Sequence, residues 1–215
     1  MAASVILDDM STITERAPAS SLAARIAGRI RQLRGARGMS LEALAACSGV
    51  SRSMISLIER GEASPTAVVL ERLAAGLGVP LASLFDDPQP SVEPVARAAN
   101  QPSWQDPLSG YVRRNVSPAG HPSPIQIVEV TFPPGARVAY ETGPREVRVR
   151  QQVWLLEGEL EVRVGDRQFV LGAGDCLALE LDRPVSFHNP GPVPAHYAVV
   201  LVSDLVAVGE RRSAQ

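Results

Sequence analysis

The sequence predicts a two-domain α + β protein, in which an N-terminal domain of five helices precedes an antiparallel β-barrel. Two observations predict it. Up to Phe85, apolar residues recur at helical spacing, whereas from Leu108 short segments of alternating polar and apolar residues are separated by Gly, Pro or Asp turns. A chain of 215 residues is also long enough to bury two modest hydrophobic cores.

Composition divides the chain further. We expect a polar N-terminal tail (residues 1–19), a helical domain (20–85), a linker rich in Pro, Ser, Gln and Asp (86–107), a β domain (108–208) and a C-terminal tail (209–215). Trp104 is the exception within the linker. A large aromatic residue at the end of a linker is expected to dock on the domain that follows it.

The helical domain begins with apolar residues spaced for one buried face, at Leu22, Ile26, Ile30 and Leu33, which predict a helix up to about Arg37. Two short helices follow between Ser40 and Gly61. Pro65 and Thr66 begin a fourth helix that runs through Leu77. The segment VPLASLF, which starts at Val79, predicts a short fifth helix.

The two short central helices are predicted to meet at a tight turn. Ser40 and Ser51 are natural N-caps, and Gly49 is suited to the left-handed conformation that ends the first helix of the pair. Ile55 and Ile58 face inward in the second helix. Its outward stripe consists of Arg52, Ser53, Ser56, Leu57 and Arg60. A short helix with a buried back and a front of Arg and Ser suits the major groove of DNA.

Charge is distributed unevenly along the chain. Residues 20–85 contain eight arginines and four acidic residues, a balance of +4, whereas residues 86–215 contain twelve arginines and sixteen acidic residues, a balance of −4. The basic excess therefore accompanies the central helix pair, where contact with DNA phosphates would need it.

Residues 22–85 resemble the phage-repressor-like (Xre-type) helix-turn-helix family. The matching segments occur in the family's order and spacing, and they read IRQLRGARGMSLEALA, SGVSRSMISLIERG, SPTAVVLERLAAGLGV and LASLF. The resemblance implies sequence-specific binding to double-stranded DNA. It also implies an internal ion pair between Arg34 and Glu59 that ties the first helix to the recognition helix.

The same resemblance implies roles for the outward residues. Ser40 binds a phosphate, while Arg52, Ser53 and Leu57 reach base edges. Ser56 and Arg60 lie near the DNA backbone. Ser51, the predicted N-cap of the recognition helix, is also expected to contact DNA. Two readings of Arg52 stay open, since its guanidinium suits either the bidentate recognition of guanine or the neutralisation of a phosphate. Leu57 can touch a thymine methyl group but cannot donate a hydrogen bond.

The β domain resembles the cupin family over roughly residues 108–205. The resemblance lies in LLEGELEVRVGDRQFVLGAGDCLAL, followed at the family's distance by RPVSFHNPG. It implies an antiparallel double-stranded β-helix, which is a small barrel.

The cupin metal site is where this sequence departs from its family. Metal-binding cupins use histidines and a glutamate, but the glutamate position reads Gln151 and the later histidine position reads Val185. An amide and an alkyl side chain do not bind a divalent transition metal as a carboxylate and an imidazole do. We therefore expect no metal, no cofactor and no enzymatic activity.

A barrel without a metal still encloses a pocket, and the former ligand positions are its expected lining. The candidate ligand-binding residues are Tyr140, Gln151, Gln152, Trp154, Cys176, Glu180 and Val185. The alternative is that these residues fill a closed core, which is the favoured reading for Trp154 and Cys176. One of the adjacent Gln151 and Gln152 must face inward in a strand.

The remaining features favour a cytoplasmic protein. No apolar run approaches the roughly 20 residues needed to span a bilayer, and the first 19 residues do not resemble a signal peptide. Cys47 and Cys176 fit no metal or disulfide pattern and are expected to be small buried side chains in a reducing compartment.

Together these patterns predict a homodimeric transcriptional regulator that binds a DNA operator and whose barrel senses a small-molecule effector. Two alternatives stay open. One is a catalytic cupin that uses the helical domain only for docking. The other is a constitutive, antitoxin-like DNA-binding protein whose barrel serves only for dimerisation.

Overall fold

The computed structural model describes residues 20–85, 93–121, 123–141 and 147–205. The expected tails at 1–19 and 209–215, and the first part of the expected linker, lie outside these ranges. Within them the chain forms four α-helices: α1 (Ser20–Ala36), α2 (Leu41–Ser48), α3 (Arg52–Glu59) and α4 (Ala67–Gly76).

The helices begin and end at the residues that local chemistry favours. Ser40, Ser51 and Thr66 are the N-caps of α2, α3 and α4, and each side chain accepts a hydrogen bond from a backbone N–H in the first turn. Gly49 ends α2 with a φ of 67°, a conformation that a residue with a Cβ adopts only with strain. Its N–H donates to the carbonyl oxygen of Ala45.

The prediction of a fifth α-helix is wrong. Residues Leu81–Leu84 form one turn of 3₁₀-helix that begins after Pro80. A single turn is too short to gain the repeated hydrogen bonds that stabilise an α-helix, so the segment keeps the tighter geometry. Its apolar residues still pack as anchors, since Leu84 and Phe85 are buried.

The second half of the described chain is built from antiparallel strands. They are β1 (Ser103–Gln105), β2 (Val112–Asn115), β3 (Ile125–Phe132), β4 (Arg137–Tyr140), β5 (Val147–Glu157), β6 (Glu159–Val164), β7 (Arg167–Gly172), β8 (Cys176–Glu180), β9 (Val185–His188) and β10 (Ala195–Leu205). The larger sheet has the order β1-β2-β3-β10-β5-β8, and the smaller sheet has the order β4-β9-β6-β7.

Alternation along the strands separates an inner from an outer face of the larger sheet. Val149, Val153 and Leu155 of β5 are buried, whereas Gln152 and Trp154 are exposed. The central pairing aligns Val199 of β10 with Val153 on one side and with Val128 of β3 on the other. The inner side chains of both sheets form the core of the barrel.

The segment between the domains is more ordered than a linker is expected to be. Ser103–Gln105 is β1 and pairs with β2, so the larger sheet begins before residue 108. Trp104 is buried between Phe85 of the helical domain and Tyr111, with ring centroids 5.9 and 5.7 Å away. It docks on the β domain, as the sequence predicts, and it also contacts the helical domain.

Polar contacts also join the two domains. One carboxylate oxygen of the buried Asp106 accepts a hydrogen bond from the N–H of Ala67, the first residue of α4, at 2.9 Å. The other accepts two from Ser109, at 2.8 and 2.6 Å. Arg72 of α4 forms an exposed ion pair with Glu141 at 3.0 Å.

The prediction that both cysteines are buried is wrong. Cys47 lies on the solvent side of α2, and Cys176 lies on the outer face of β8, and both are free thiols. Among the described residues, no single helix is both long and apolar enough to cross a membrane. The bent pair of α2 and α3 meets the requirements of length and composition only.

Candidate functional site

Helix α3 has a buried back and an exposed front. Ile55 and Ile58 are fully buried against the helical core, because they lie three residues apart on one side of the helix. The Ser51 side chain accepts a hydrogen bond from the N–H of Met54, which fixes the start of the helix. The helix is therefore held at both its start and its apolar face.

The structure places the predicted DNA-contact residues in two groups. The exposed group contains Arg52 and Ser53 of α3, Arg60 directly after that helix, and the N-caps Ser40 and Ser51. Ser56 and Leu57 are half-buried. The hydroxyl groups of Ser51 and Ser53 lie 3.2 Å apart. The first turn of α3 thus presents small hydroxyl groups beside a guanidinium.

Both arginines of this surface already have acidic neighbours. Arg52 forms an ion pair with Glu42 of α2, and both side chains are more than 60% exposed (62% and 64%). Arg60 donates two hydrogen bonds to Glu62, at 2.8 and 2.9 Å, and also bonds to Ser56. The pKa of Glu42 is lowered by a hydrogen bond from the backbone N–H of Glu42 itself and by the hydrogen bond from Arg52. Exposed pairs of this kind are weak enough to exchange with phosphates.

A stronger ion pair lies behind α3. Nε and Nη2 of Arg34 donate to the two carboxylate oxygens of Glu59 at 2.7 and 2.8 Å, and Nη1 donates to the carbonyl oxygen of Met39 at 2.9 Å. Glu59 is buried. The ion pair implied by the family resemblance is therefore present, and it joins α1 to the last residue of α3.

A cavity of about 80 Å³ lies between the barrel and the helical domain. Roughly 10–15 Å³ is enough for one water molecule, so a cavity of this size has room for a small organic molecule. Its walls include aromatic and aliphatic side chains of the barrel, among them Phe132, Val138 and Phe187. Glu71 of α4 and the turn at Pro80, Leu81 and Ala82 form the remaining wall.

Two of the residues predicted to bind a ligand line this cavity. Tyr140 and Gln151 both face it, which answers the question of which of the two adjacent glutamines points inward. The hydroxyl groups of Tyr140 and Tyr111 lie 3.2 Å apart. Val185 is buried in β9, opposite Tyr140 of β4, but is not part of the lining.

The other four candidates face away from the cavity. Gln152, Trp154, Cys176 and Glu180 all belong to the outer face of the larger sheet. Trp154 is 50% exposed, so the core reading of that residue is wrong as well. The reason is the period of two along β5 and β8, which turns each of these side chains outward when Gln151 faces inward.

Sequence reasoning missed the charged and hydroxyl groups that the cavity contains. Arg113 of β2, Tyr111, Tyr197 and Glu71 all line it. Arg113 is buried, and its guanidinium carbon lies 5.1 Å from the centre of the Phe85 ring. The segment YVRRNV contains two adjacent arginines, and only knowledge of the strand's phase distinguishes the inward Arg113 from the outward Arg114.

Two histidines of the barrel contact carboxylates on neighbouring strands. His188 lies 2.9 Å from Glu161, and His196 contacts Glu129. Across the described ranges, no three His, Cys, Asp or Glu side chains are grouped in a way that suits a metal ion.

Two family models match the chain. A helix-turn-helix model matches residues 30–84, and a cupin-domain model matches residues 128–202. The first includes all of α2, α3 and α4, and the second includes the centre of the larger sheet and all of the smaller one.

Relatives of known role match over most of their length. The HTH-type transcriptional regulator SutR of Escherichia coli is 29% identical over 178 residues, which cover 82% of this chain and 94% of SutR. The HTH-type transcriptional regulator PuuR of Escherichia coli is 28% identical over 163 residues, covering 75% and 85%. A solved structure of an HTH_3 family transcriptional regulator from Vibrio cholerae superposes with a TM-score of 0.69. It covers 85% of this chain and 97% of that one, at 24% identity, and so shows the shared fold.

Proposed function

We propose that this chain, a transcriptional regulator in which a helix-turn-helix domain precedes a cupin domain, binds operator DNA with α3 in the major groove and a small molecule in its barrel. The observation that carries the DNA-binding role is the presentation of α3. Its back is fixed by Ile55, Ile58 and the Glu59 ion pair, while its front is polar and exposed. A rigid helix of this kind is what direct readout of base edges requires.

We assign the contacts as follows. Arg52 and Ser53 lie in the exposed first turn of α3, so they reach base edges, with Leu57 one turn further on. The hydroxyl groups of Ser40 and Ser51 lie at helix N-termini, where phosphates bind favourably. Ser56 and Arg60 approach the DNA backbone. On binding, Arg52 and Arg60 exchange their carboxylate partners for DNA.

We propose that the protein acts as a homodimer through the outer face of the larger sheet. The apolar members of that face are contributed by adjacent strands: Ile125, Ile127, Trp154, Leu156, Ala178, Ala198, Val200 and Val202. A second copy of the same face is a suitable partner because a two-fold interface joins identical patches. Two copies would present two α3 helices to half-sites about 34 Å apart.

A charge on this face tests the dimer. Trp154→Glu is expected to convert the dimer to monomers and to lower operator affinity at least tenfold, because an ionised carboxylate resists burial in an apolar interface. Size-exclusion chromatography with light scattering measures the mass. Val170→Glu is the matched control, since Val170 is 66% exposed on the other sheet. A Trp154→Glu protein that stays dimeric would contradict the assignment.

For the barrel we propose binding rather than catalysis. The relatives SutR and PuuR are transcriptional regulators. The cupin resemblance implies that Gln151 occupies a position where metal-binding cupins have a carboxylate ligand. The cavity touches both domains, so a ligand there interacts directly with the DNA-binding domain. Its binding would shift the population of dimers whose α3 helices fit the operator. Such a regulator acts where the chromosome is, in the cytoplasm.

The experiment that tests the proposed function is selection of genomic DNA fragments by the purified protein, followed by sequencing. We expect an enriched inverted repeat whose half-sites lie about one helical turn apart. Binding to that repeat should exceed binding to random duplex by about a thousandfold or more at physiological salt. A protein that retains no double-stranded DNA at low ionic strength would overturn the proposal.

A further inference from the structure

The cavity between the domains contains a buried cation whose hydrogen-bonding capacity is not used. Arg113 is 8% exposed, and its Nε and Nη2 atoms have no hydrogen-bond partner among the described residues. Arg113 lines the cavity together with Tyr111 and Tyr140. The guanidinium packs over the Phe85 ring, which has no oxygen that could accept a hydrogen bond.

A guanidinium in this position is energetically unusual. Arginine cannot give up its proton in proteins, so the charge stays even where burial disfavours it. Burial lowers the pKa of Arg113, while the neighbouring tyrosines and Glu71 favour its charged form. A desolvated charge without hydrogen bonds is destabilising, which makes Arg113 a candidate binding group.

The surroundings of Arg113 restrict what that partner can be. Burial raises the pKa of Tyr111, Tyr140 and Tyr197, so all three phenols stay protonated and can donate hydrogen bonds. The carboxylate of Glu71 lines the same cavity and would repel a second negative charge. The other walls are mainly apolar, and the volume of about 80 Å³ suits a small molecule.

We propose that the effector is a small organic monocarboxylate, whose carboxylate binds the Arg113 fork and whose apolar part contacts Phe132, Val138 and Phe187. A planar carboxylate matches the two parallel N–H bonds that a guanidinium offers. This inference rests on the proposed sensing role of the barrel, and it names the chemical class of the ligand.

The lining of the cavity also connects a bound ligand to the DNA-binding domain. Glu71 belongs to α4, and α4 packs closely on α2, where a Cβ on Gly76 would lie 2.8 Å from the Cβ of Ser48. Helix α2 in turn determines the position of α3 through the turn at Gly49. A ligand that moves α4 therefore displaces a rigid unit rather than a flexible loop.

Calorimetry and thermal unfolding of the full chain test the inference with a series of matched probes. The probes are propionate, butyrate and benzoate, each paired with its neutral amide of nearly the same shape. We expect at least one acid to bind and to raise Tm with increasing concentration, and its amide to bind at least tenfold more weakly. Arg113→Met should weaken binding of that acid at least tenfold, while Arg163→Met, on the exposed side of β6, should leave it unchanged.

Each outcome of this experiment decides a different question. Amides that bind as well as acids, or an acid that binds Arg113→Met normally, would overturn the carboxylate assignment and leave small-molecule sensing standing. If no acid binds at millimolar concentration, the assignment also falls. Operator binding is measured separately without ligand, so a failure of the DNA-binding role is recognised independently. The comparison of acid with amide needs only the unmodified protein, so it remains decisive even if Arg113→Met does not fold.

Discussion

Arg34 in the helical domain is half-buried and Arg113 in the barrel is buried, and their surroundings differ. Arg34 donates from all three of its nitrogens, to both oxygens of Glu59 and to a backbone carbonyl. The hydrogen bonds with Glu59 raise the pKa of Arg34, whereas burial lowers the pKa of Arg113. The difference separates an arginine whose partners belong to the fold from one whose partner we propose to be a ligand.

The two arginines should therefore respond differently to the same substitution, and this is the largest expected effect. Arg34→Met leaves the buried Glu59 without its main partner and should lower the free energy of unfolding by about 3 kcal/mol. The nearby Arg31, 3.9 Å from the same carboxylate, limits the loss. Arg113→Met should leave stability unchanged or higher. Chemical denaturation measures both, and a large loss of stability in Arg113→Met would contradict the comparison.

Arg52 provides an intermediate case, since its partner Glu42 is exposed and replaceable. Arg52→Ala should weaken binding to the selected operator by about 1–3 kcal/mol while changing affinity for random duplex much less. Arg163→Ala removes the same charge from the barrel and is the control. Equal losses on operator and random DNA in a competition assay would reassign Arg52 to a phosphate contact.

The smallest effect is expected at the acidic side of that pair. Glu42→Gln should leave the free energy of unfolding nearly unchanged, because exposed ion pairs contribute little. The same variant should bind DNA a few-fold more tightly at low salt, since a negative charge near the phosphates is removed. Weaker binding would show that Glu42 orients Arg52 rather than competing for it.

Much of the helical domain could be predicted from its sequence because its signals are local. Caps such as Ser51 and Thr66 act within one turn, and the spacing of Ile55 and Ile58 defines a face without knowledge of the rest of the chain. The fifth helix was predicted wrongly because a segment as short as Leu81–Leu84 has nearly the same pattern in α and 3₁₀ geometry.

The ligand cavity was harder to predict because it depends on the phase of each strand. A shift of one residue exchanges Gln151 with Gln152, or Arg113 with Arg114, and the sequence of a strand with polar residues on both faces does not decide between them. The cavity also takes Glu71 from the helical domain, and a contact between residues so distant in sequence leaves no local pattern.

The hydrogen bond from Ala67 to Asp106 has a practical consequence for anyone wishing to study the DNA-binding half by itself. Cutting the polypeptide between the two halves removes the carboxylate that satisfies the leading amide of α4, and also Trp104, which covers Phe85. An excised N-terminal fragment would then fray at that helix and expose an aromatic ring. Its boundary is best drawn beyond residue 106, although doing so retains the opening strand of the barrel.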